Sequence, residues 1–569
     1  MTREEFCGSV RSRLLAHEAK VLLRVAMGPD FERPVELTGR DILQRGEQLA
    51  ERFDLPKKRS VVLLLLPHSP EMFLLPLGLL LAGHIPAILA WPTNRVDPEK
   101  YQRNLVHQLS HLPADLLITV PQLAENLASS LPYGTCGLEL ERGSSYEKLF
   151  LGVNARGRSE GKKLGTISPA PDVDALFLQF SGGTTGAQKA IVVTTAMLTK
   201  QLELLGDALK FTDADSLTSW LPMYHDMGLI ACYWMPLWHG ASSLQMAAND
   251  WVINPELLLK YIARYQSTFC WLPNFSFAYL SRRREFMQEE YRLDSVRAWI
   301  NCSEPVRLGS MMEFAQTFAE WGVGRKSLQT SYAMAETVFA ITQSELGKET
   351  ECVTRKSVEQ EGPGYTERAF ELIDDVYISS GKALADTELK IVAADGSICA
   401  ETVAGEIYVR NPCLFSGYWG VEGFQAHTLT DGWHATGDYG FLKGPELFVI
   451  GRFKDIVIVG GNNIFPEDVE EVVNTIEGIY PGRVVAFGVE DREFGTQGLA
   501  IVAEMKNDST GATAIELEGA IRKLVLSTIG TAPRYVAIVP QRWIVKSTAG
   551  KISRKETQER FVRERLSIA

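Results

Sequence analysis

The feature that most constrains the fold of this chain is a strongly apolar stretch, from Val61 to Trp91, that is broken near its middle. The segment Pro67-His68-Ser69-Pro70-Glu71 interrupts the stretch well before it reaches the roughly 20 consecutive apolar residues that a membrane-spanning helix needs. The pattern therefore predicts a buried strand-helix-strand unit and no membrane span. Its three elements are expected at Val61 to Leu66, Met72 to Leu81 and Ala87 to Ala90.

Short β-rich runs and helical stretches alternate further along the chain. Leu176-Phe177-Leu178 and Ile191-Val192-Val193 are typical of strands, and Met197 to Leu209 is typical of a helix. This alternation predicts an α/β fold in which helices cover β-sheets. The polar, glycine-containing segment from Asn154 to Asp172 is expected to be a surface connection before the block that starts at Val173.

The length of 569 residues exceeds what one hydrophobic core usually organises, so we expect more than one domain. A β-rich region ends near Gly451-Arg452-Phe453-Lys454-Asp455, which predicts a large domain at residues 1–451 and a small α+β domain at residues 452–569. The strands of the small domain are expected at Ile456 to Val459, Val484 to Val489 and Ala500 to Glu504, and its helices at Pro466 to Ile476 and Ala514 to Ser527.

The charge and the cysteines narrow the classes of partner. The formal net charge of -12 gives no general attraction to nucleic acid or to an anionic membrane. The eight cysteines are scattered without a C-x-x-C pair, which is typical of reduced thiols and not of a metal or redox centre. The N-terminus is charged and has no apolar signal core, so we expect a cytoplasmic protein.

The strongest local motif is a loop rich in glycine and threonine, Ser181-Gly182-Gly183-Thr184-Thr185-Gly186-Ala187-Gln188-Lys189, between two apolar β runs. Glycines let a backbone approach an anion closely, and hydroxyls, backbone N–H groups and an ammonium can donate to phosphate oxygens. The spacing is not that of a Walker A loop. Taken alone, the segment fits a phosphate loop and an ordinary flexible turn about equally well. Its candidate phosphate-binding residues are Ser181, Gly183, Thr184, Thr185, Gly186 and Lys189.

Further motifs follow this loop in a fixed order, and together they resemble the adenylate-forming superfamily of acyl-CoA synthetases, peptide-synthetase adenylation domains and luciferases. The resemblance extends from about residue 35 to 560 and implies ATP and Mg²⁺ as cofactors and a carboxylic acid as substrate. The motifs are Ser331-Tyr332-Ala333-Met334-Ala335-Glu336-Thr337, Thr436-Gly437-Asp438, Gly451-Arg452 and Ser547-Thr548-Ala549-Gly550-Lys551-Ile552-Ser553-Arg554.

The resemblance implies roles for two residues of the first of these motifs and for one residue of each of the others. Tyr332 would pack on adenine, and Glu336 would be catalytic and hold Mg²⁺ near the phosphates, in keeping with the preference of this cation for carboxylate and phosphate oxygens. Asp438 would accept the ribose hydroxyl protons, and Arg452 would act in the same region. Lys551 would be the catalytic cation that bridges the attacking carboxylate and the α-phosphate. A lysine near a C-terminus is by itself usually a solvated charge, and only the accompanying motifs favour this role.

Several positions depart from the superfamily pattern, namely Gly182, Gln188, Ala190, Ala333 and Ala435. They leave a catalytically silent homologue, which binds nucleotide or a carrier protein without turnover, as one alternative. Retention of Glu336, Asp438, Arg452 and Lys551 favours an active enzyme.

Within the superfamily, the chain is most similar to fatty acyl-AMP ligases. The similarity lies in Leu221-Pro222-Met223-Tyr224-His225-Asp226-Met227-Gly228-Leu229, Leu272-Pro273-Asn274-Phe275, Asn301-Cys302-Ser303-Glu304-Pro305-Val306 and Gly460-Gly461-Asn462-Asn463-Ile464-Phe465-Pro466-Glu467-Asp468-Val469-Glu470. By this resemblance Ser303 and Glu304 belong to the nucleotide site. His225 is a candidate catalytic residue between the acyl pocket and the nucleotide, and a hydrogen-bonded loop histidine is an equal alternative.

The branch also implies an acceptor. The block from Gln343 to Tyr377 matches, by position, an extra segment that in this branch restrains rotation of a mobile small domain about a hinge at Lys454 and disfavours CoA. The expected acceptor is therefore the phosphopantetheine thiol of an acyl carrier protein or carrier domain. An acyl-CoA synthetase and a stand-alone amino-acid or aryl-acid adenylation enzyme remain alternatives, because both would share the nucleotide motifs.

Overall fold

The computed structural model describes residues 1–28, 30–53, 59–92, 98–112, 114–120, 123, 133–139, 148–154, 174–180, 189–354, 358–360, 376–420, 423–427, 429–459, 462–491, 496–506, 513–546 and 552–566. It confirms the predicted α/β class, with helices packed on two large mixed sheets.

The larger sheet contains fourteen strands among the described residues. Its centre is parallel: Ser216–Ser219, Phe269–Leu272, Ala298–Asn301 and Leu328–Ala333 lie side by side and run in one direction. The carboxyl ends of these strands therefore meet at one edge, where the loops of open α/β sheets usually form binding sites. The other strands are Val21–Val25, Val35–Thr38, Ser242–Gln245, Ala340–Gln343, Glu359–Gln360, Lys382–Ala383, Glu388–Val392, Val403–Arg410, His434–Lys443 and Glu446–Arg452.

The second sheet has nine strands in the described ranges and contains the predicted strand-helix-strand unit. Val61–Leu65 pairs in parallel with Ile85–Ile88, and the helix Pro70–Leu81 connects them. Ser69 caps this helix by accepting a hydrogen bond from the Met72 backbone N–H at 3.3 Å, so the helix begins two residues before the predicted start. The remaining strands are Leu116–Thr119, Tyr133–Glu139, Lys148–Asn154, Ala175–Phe180, Ala190–Thr194, Gly417–Gly420 and Gly423–Ala426.

The helix Pro70–Leu81 is buried on every side, which explains why its sequence is apolar all round. It packs against the helix Gly39–Glu51, and each of the two helices has a glycine at the point where they cross. A Cβ atom added at Gly78 would collide with the carbonyl oxygen of Gly46. Only glycine at this crossing allows the two backbones to approach so closely.

The other helices lie mostly against these sheets. No helix in the described ranges is long and apolar enough to cross a membrane. The α-helices are Arg3–Ala16, Pro98–His111, Thr195–Leu209, Met235–His239, Ala248–Ile253, Glu256–Tyr265, Asn274–Arg283, Leu308–Thr317, Pro466–Asn474, Ala514–Ile529 and Arg554–Phe561. π-Helical turns span Met227–Trp234 and Val562–Leu566, and 3₁₀ turns span Arg284–Phe286, Ala319–Trp321, Arg325–Ser327, Ala335–Thr337 and Phe453–Asp455.

The C-terminal region has its own sheet and its own apolar core. Ile479–Asp491, Thr496–Met505 and Tyr535–Val539 form a three-stranded sheet in the described part of the chain, and the helices Pro466–Asn474 and Ala514–Ile529 pack on it. Small two-stranded sheets pair Val457–Val459 with Asn462–Ile464, and Cys352–Thr354 with Val376–Ile378. The separate core is compatible with a division near residue 451, which stays a prediction.

The C-terminal region also packs on the preceding strands through Phe465, which is 1% exposed. Its ring lies 5.8 Å from that of Tyr439. The same apolar cluster includes Val353 and Val358, which belong to the described part of the Gln343 to Tyr377 block. Residues 355–357 and 361–375 of that block lie outside the described residues.

Candidate active site

Four loops that carry sequence motifs leave the carboxyl ends of the central parallel strands at one edge of the larger sheet. They begin after Ser219, Leu272, Asn301 and Ala333, the last residues of those strands. Strand direction thus brings together motifs that are more than 100 residues apart in the chain.

The centre of the site is a cluster of Tyr332, Asp438 and Arg452, in which Asp438 accepts a hydrogen bond from Tyr332 and forms an ion pair with Arg452. The Tyr332 hydroxyl donates to Asp438 Oδ2 at 2.5 Å, and Arg452 Nε lies 3.6 Å from Asp438 Oδ1. Asp438 and Arg452 are direct cross-strand partners on His434–Lys443 and Glu446–Arg452. Burial raises the pKa of Asp438, although Arg452 and the Tyr332 hydroxyl oppose this shift. Tyr332 and Arg452, both predicted from separate motifs, therefore each contact Asp438.

An irregular stretch of the strand His434–Lys443 holds Asp438 and explains the Thr-Gly-Asp motif. Thr436 Oγ1 donates to the carbonyl of Ile407 at 2.8 Å and accepts from the Asp438 backbone N–H at 3.1 Å. Gly437 has a φ of +74°, in the left-handed region that glycine tolerates best, and its N–H donates to Glu406 Oε1 at 3.2 Å. The threonine hydroxyl and the glycine backbone together orient the aspartate.

Glu336 lies in a tight turn, Ala335–Thr337, that follows the strand of Tyr332. The turn ends at Val338, a buried β-branched residue with a φ of +68°. This conformation is strained for valine, and strain of this kind concentrates at functional sites. Gln179 Nε2 donates to the Val338 carbonyl at 2.9 Å, and the Phe415 N–H donates to the Glu336 carbonyl at 2.7 Å. These two bonds, one from the strand Ala175–Phe180 and one from the segment before the strand Gly417–Gly420, hold the turn in place.

The surroundings of Glu336 are rich in negative charge. Burial raises the pKa of its carboxyl, and the charges of Asp226 and Asp438 raise the pKa further, while Arg452 lowers it. A divalent cation would relieve this repulsion. No group of three or more histidine, cysteine, aspartate or glutamate side chains in metal-binding arrangement occurs in the part of the chain that the structure describes. Mg²⁺ commonly takes one or two carboxylates and completes its shell with phosphate oxygens and water, so the carboxylate of Glu336, with the charge of Asp226 acting on it, fits this cation.

His225 and Asp226 lie in the loop after Ser219, at the start of the π-helical turn Met227–Trp234. The His225 N–H donates to the Pro222 carbonyl at 3.1 Å, and the His225 carbonyl accepts from the Leu229 N–H at 2.8 Å. A Cβ atom at Gly228 would collide with the Pro222 carbonyl oxygen, so the turn requires glycine there. These backbone hydrogen bonds hold His225 in the turn. The next residue, Asp226, is the aspartate whose charge raises the pKa of Glu336.

Ser303 and Glu304 follow the strand Ala298–Asn301 at the same edge. Ser303 has a φ of +71°, and its Oγ lies 3.8 Å from Met227 Sδ, so this turn contacts the His225 loop. Glu304 Oε2 accepts a hydrogen bond from the Phe275 backbone N–H at 3.0 Å. In this structure Glu304 therefore holds the start of a neighbouring helix.

Lys189 is the last residue of the predicted phosphate loop, and its ammonium lies 4.7 Å from the centre of the Tyr418 ring. Tyr418 is the cross-strand neighbour of Ile191, two residues beyond Lys189. Burial raises the pKa of Tyr418 to about 12, and the negative charge of Glu336 contributes to this shift. Lys189, Tyr418 and Glu336 thus belong to one region. The other predicted loop residues, Ser181, Gly183, Thr184, Thr185 and Gly186, lie outside the described residues.

Lys551 also lies outside the described residues, which begin again at Ile552. Ile552 makes an antiparallel bridge with Lys546. The side chain of Arg554, three residues beyond Lys551, is 17% exposed and lies 2.9 Å from Glu467 Oε1. Arg554 also pairs with Glu470. The helix Pro466–Asn474 therefore anchors the segment that follows Lys551.

Three further residues take part in the site although the sequence analysis did not select them, namely Asp226, Glu406 and Tyr418. Asp226 directly follows His225 in the motif from Leu221 to Leu229. Glu406 and Tyr418 reach the site through cross-strand pairing, which the sequence does not show. The one signal in the sequence is the Gly417-Tyr418-Trp419-Gly420 segment, in which glycines flank two aromatic residues.

An aromatic wall adjoins the site. The rings of Trp220 and Trp251 stack 4.1 Å apart, and the Phe275 ring lies 6.0 Å from each, edge-on. Phe275 is 40% exposed, whereas both tryptophans are buried. The Phe275 backbone N–H donates a hydrogen bond to Glu304, and Trp220 is the first residue of the loop that contains His225, so this wall lies beside the nucleotide motifs.

Comparison with known proteins gives a consistent result. The family model for AMP-binding enzymes matches residues 18–419. A putative acyl-CoA synthetase of Caulobacter vibrioides is 29% identical over 496 residues, which are 84% of this chain and 82% of that protein. The medium-chain-fatty-acid--[acyl-carrier-protein] ligase JamA of Moorena producens is 28% identical over 417 residues, or 69% of each chain.

Solved structures share the fold. A structure from a study of fatty acyl-adenylate ligases from E. coli and L. pneumophila aligns with a TM-score of 0.81. The alignment covers 99% of this chain and 98% of the other at 22% sequence identity. At 22% identity this similarity supports the fold alone. The assignment to a family rests on the match of residues 18–419 to the AMP-binding enzyme model.

Proposed function

Because the chain belongs to the AMP-binding enzyme family, we propose that it joins a fatty acid to AMP and then transfers the acyl group to the phosphopantetheine thiol of an acyl carrier protein. The chain is an adenylate-forming ligase that acts on an acid with ATP. The fatty acid, the carrier and the residue roles are the proposed part. The observation that carries the proposal is the contact of Tyr332, Asp438 and Arg452 beside Glu336.

The proposed nucleotide site uses this cluster to hold adenosine. Asp438 would accept hydrogen bonds from the ribose hydroxyls, and the charge of Arg452 lowers the pKa of its carboxyl against the larger effect of burial, which raises it. Tyr332 would contact adenine while its hydroxyl orients Asp438. A buried carboxylate that is already aligned loses little conformational freedom when the nucleotide binds, which favours affinity.

The proposed phosphate region lies between Glu336 and Lys189. Glu336 would hold Mg²⁺, which when bound would neutralise charge on the phosphates. Lys189 would donate to phosphate oxygens, and Tyr418 keeps its ammonium close to the site. The acidic surroundings of Glu336 favour the bound cation before the triphosphate arrives.

The first proposed step is attack of a carboxylate oxygen of the substrate on the α-phosphorus. The bond to the β-phosphate oxygen breaks, pyrophosphate leaves, and acyl-AMP remains. Lys551 would bring the two negatively charged reactants together and stabilise the charge that develops on the α-phosphate. In the second step the thiol sulfur attacks the acyl carbonyl, loses its proton, and expels AMP.

The proposed acid is fatty because the side of the site beyond the nucleotide is aromatic and apolar. The exposed ring of Phe275 would contact an acyl chain, with the buried rings of Trp220 and Trp251 packed behind it, and none of the three offers a charge to an amino group. A relative named as a ligase of medium-chain fatty acids and acyl carrier protein supports the same substrate class.

The proposed acceptor is a carrier protein. Val353 and Val358 pack in the same cluster as Phe465, so part of the Gln343 to Tyr377 block contacts the start of the C-terminal region. Such a contact supports the expectation that this block restrains the C-terminal region. Transfer to CoA is the second candidate, because another relative is named as a putative acyl-CoA synthetase.

The test is acid-dependent exchange of pyrophosphate into ATP with fatty, hydroxy, aryl and amino acids, followed by a choice of acceptor. We expect exchange with fatty acids, and thioester on a phosphopantetheinylated carrier protein but not on CoA. Exchange with amino acids alone would overturn the fatty-acid assignment, and efficient thioester formation with CoA would overturn the carrier assignment. ATP binding without exchange for any acid would identify a silent homologue.

A further inference from the structure

Arg307 connects the motif loops of the larger sheet to the C-terminal region. It lies in the segment that follows Glu304, and its guanidinium is 2.7 Å from Glu471 Oε2 and 3.6 Å from Asp468 Oδ1. Both carboxylates belong to the helix Pro466–Asn474. The side chains of Arg307, Glu471 and Asp468 are 18%, 17% and 6% exposed, so this is a largely buried charge cluster.

The position of Arg307 is fixed from the side of the sheet. Asn274 Oδ1 accepts hydrogen bonds from the Arg307 backbone N–H at 3.0 Å and from Asn301 Nδ2 at 2.9 Å. Asn274 and Asn301 each lie at the carboxyl end of one of two adjacent parallel strands. This bond network explains why asparagine occurs in both motifs: the pair sets the backbone from which Arg307 reaches the helix.

The helix that Arg307 contacts holds a second arginine on a neighbouring face. Glu467 and Glu470 bind Arg554, whereas Asp468 and Glu471 face Arg307. Each pair of acids is three residues apart and so lies on one face of the helix. One helix thus connects Arg307 to Arg554, which is three residues beyond Lys551.

We propose that Arg307 is a positioning residue, which docks the helix Pro466–Asn474 on the motif loops and thereby orients the segment that follows Lys551, so that adenylate formation depends on this contact. This inference rests on the proposed function of Lys551. Removal of Arg307 would leave two neighbouring carboxylates buried without their cation, and the helix would undock to hydrate them. The nucleotide cluster would stay intact, because none of the described contacts of Tyr332, Asp438 or Arg452 involves Arg307.

The test compares Arg307→Gln with wild type in acid-dependent adenylate formation. We expect kcat to fall about 10- to 100-fold, because displacement of a reacting group by an ångström has effects of this size. KM for ATP should change less than about twofold. Arg307→Lys should retain intermediate activity, because a lysine keeps the charge but not the planar guanidinium that reaches both carboxylates. Arg292→Gln is the matched control, since Arg292 forms an exposed pair with Asp294 whose loss should change nothing.

Hydrogen exchange in the full-length protein gives a second readout. In Arg307→Gln we expect faster exchange in Pro466–Asn474 and Arg554–Phe561, and the charge-reversed pair Arg307→Glu with Glu471→Arg should restore both protection and kcat relative to Arg307→Glu alone. If wild type forms acyl-AMP and Arg307→Gln forms it equally fast with unchanged exchange, the inference is wrong. If wild type forms no acyl-AMP with any acid, the proposed function fails instead, whatever the exchange pattern.

Discussion

Asp438 and Tyr332 come from separate sequence motifs but form a hydrogen bond in the structure. The sequence predicts the tyrosine for adenine and the aspartate for ribose, as two independent binding groups. In the structure the phenol donates to the carboxylate, so each residue orients the other. Burial raises the pKa of both groups, and the charge of Arg452 opposes the shift in each.

The first prediction concerns Asp438→Asn. The substitution replaces a charged acceptor of ribose hydroxyls by a neutral amide, and hydrogen bonds to charged groups contribute roughly 1.5–3 kcal/mol. We expect KM for ATP to rise about 10- to 100-fold in the pyrophosphate exchange assay. Tyr332→Phe keeps the ring and removes only the donor, so its effect should be smaller. An Asp438→Asn enzyme with the KM of wild type would remove Asp438 from the nucleotide site.

The second prediction concerns His434, whose Nδ1 lies 3.3 Å from Nε2 of His427. Burial lowers the pKa of His434 to about 4, from an ordinary value near 6.5. Between these two pH values the unfolded chain therefore binds a proton that the folded protein does not. The contribution of His434 to the free energy of unfolding is fully present above pH 6.5 and is lost as the pH falls toward 4.

Thermal unfolding at pH 7 and pH 5 measures this effect. His434→Gln, which is neutral at both values, should show a smaller acid-induced decrease in melting temperature than wild type. Equal decreases in the two proteins would show that His434 does not contribute to acid sensitivity.

At the scale of helices and strands, sequence patterns predict the existence of elements better than their ends. The helix predicted from Met72 begins at Pro70, because Ser69 caps it and proline suits a first helical position. The strand predicted at Ala87 to Ala90 lies at Ile85–Ile88, because parallel pairing with Val61–Leu65 sets its register. The periodicity of apolar residues gives no information about the capping hydrogen bond or about the register of the strand.

The turns that aim the functional side chains are harder to predict. Val338 is β-branched, and local propensity argues against the left-handed conformation that it adopts beside Glu336. Bonds from Gln179 and Phe415, both distant in the sequence, hold that turn. The order of motifs therefore predicts which loops form the site, whereas tertiary contacts decide how each loop presents its residue.

The third prediction concerns Gly228→Ala in the His225 loop. The new methyl group would meet the Pro222 carbonyl, and overpacking of this kind costs about 1–3 kcal/mol. We expect a lower melting temperature and slower adenylate formation, because the turn carrying His225 and Asp226 must shift. Gly519→Ala is the control: no atom lies within 4 Å of a Cβ added there, and alanine in a helix should stabilise by up to about 1 kcal/mol. Equal melting temperatures for Gly228→Ala and wild type would contradict this account.

At the scale of the whole molecule, length and the break near residue 451 predict two regions, and the C-terminal region does have its own core. The sequence alone gives no sign of how the regions touch. Phe465 packs into a cluster with Tyr439, and Arg307 pairs with Glu471, so the contact combines one apolar anchor with one charge cluster. Neither pair is close in the sequence, which is why local patterns do not reveal them.

The fourth prediction tests the proposed catalytic role of the C-terminal region. Lys551→Ala should lower kcat for adenylate formation at least about 100-fold, because one group that stabilises developing charge commonly contributes that much. ATP binding measured by calorimetry should be nearly unchanged, since the adenosine cluster lies on other elements. Lys555→Ala, four residues away and exposed, is the matched control. Full activity in Lys551→Ala would move the catalytic cation elsewhere.

The central claim is that this chain makes a fatty acyl-adenylate as a discrete product. The most direct measurement is mass spectrometry of the purified protein incubated with ATP, Mg²⁺ and a series of fatty acids, before any thiol is added. We predict acyl-AMP for at least one fatty acid in wild type, and a strong decrease of the same product in Asp438→Asn and Lys551→Ala. If every fatty acid leaves ATP unchanged, or if acyl-AMP forms equally well in both variants, the account of the site is wrong.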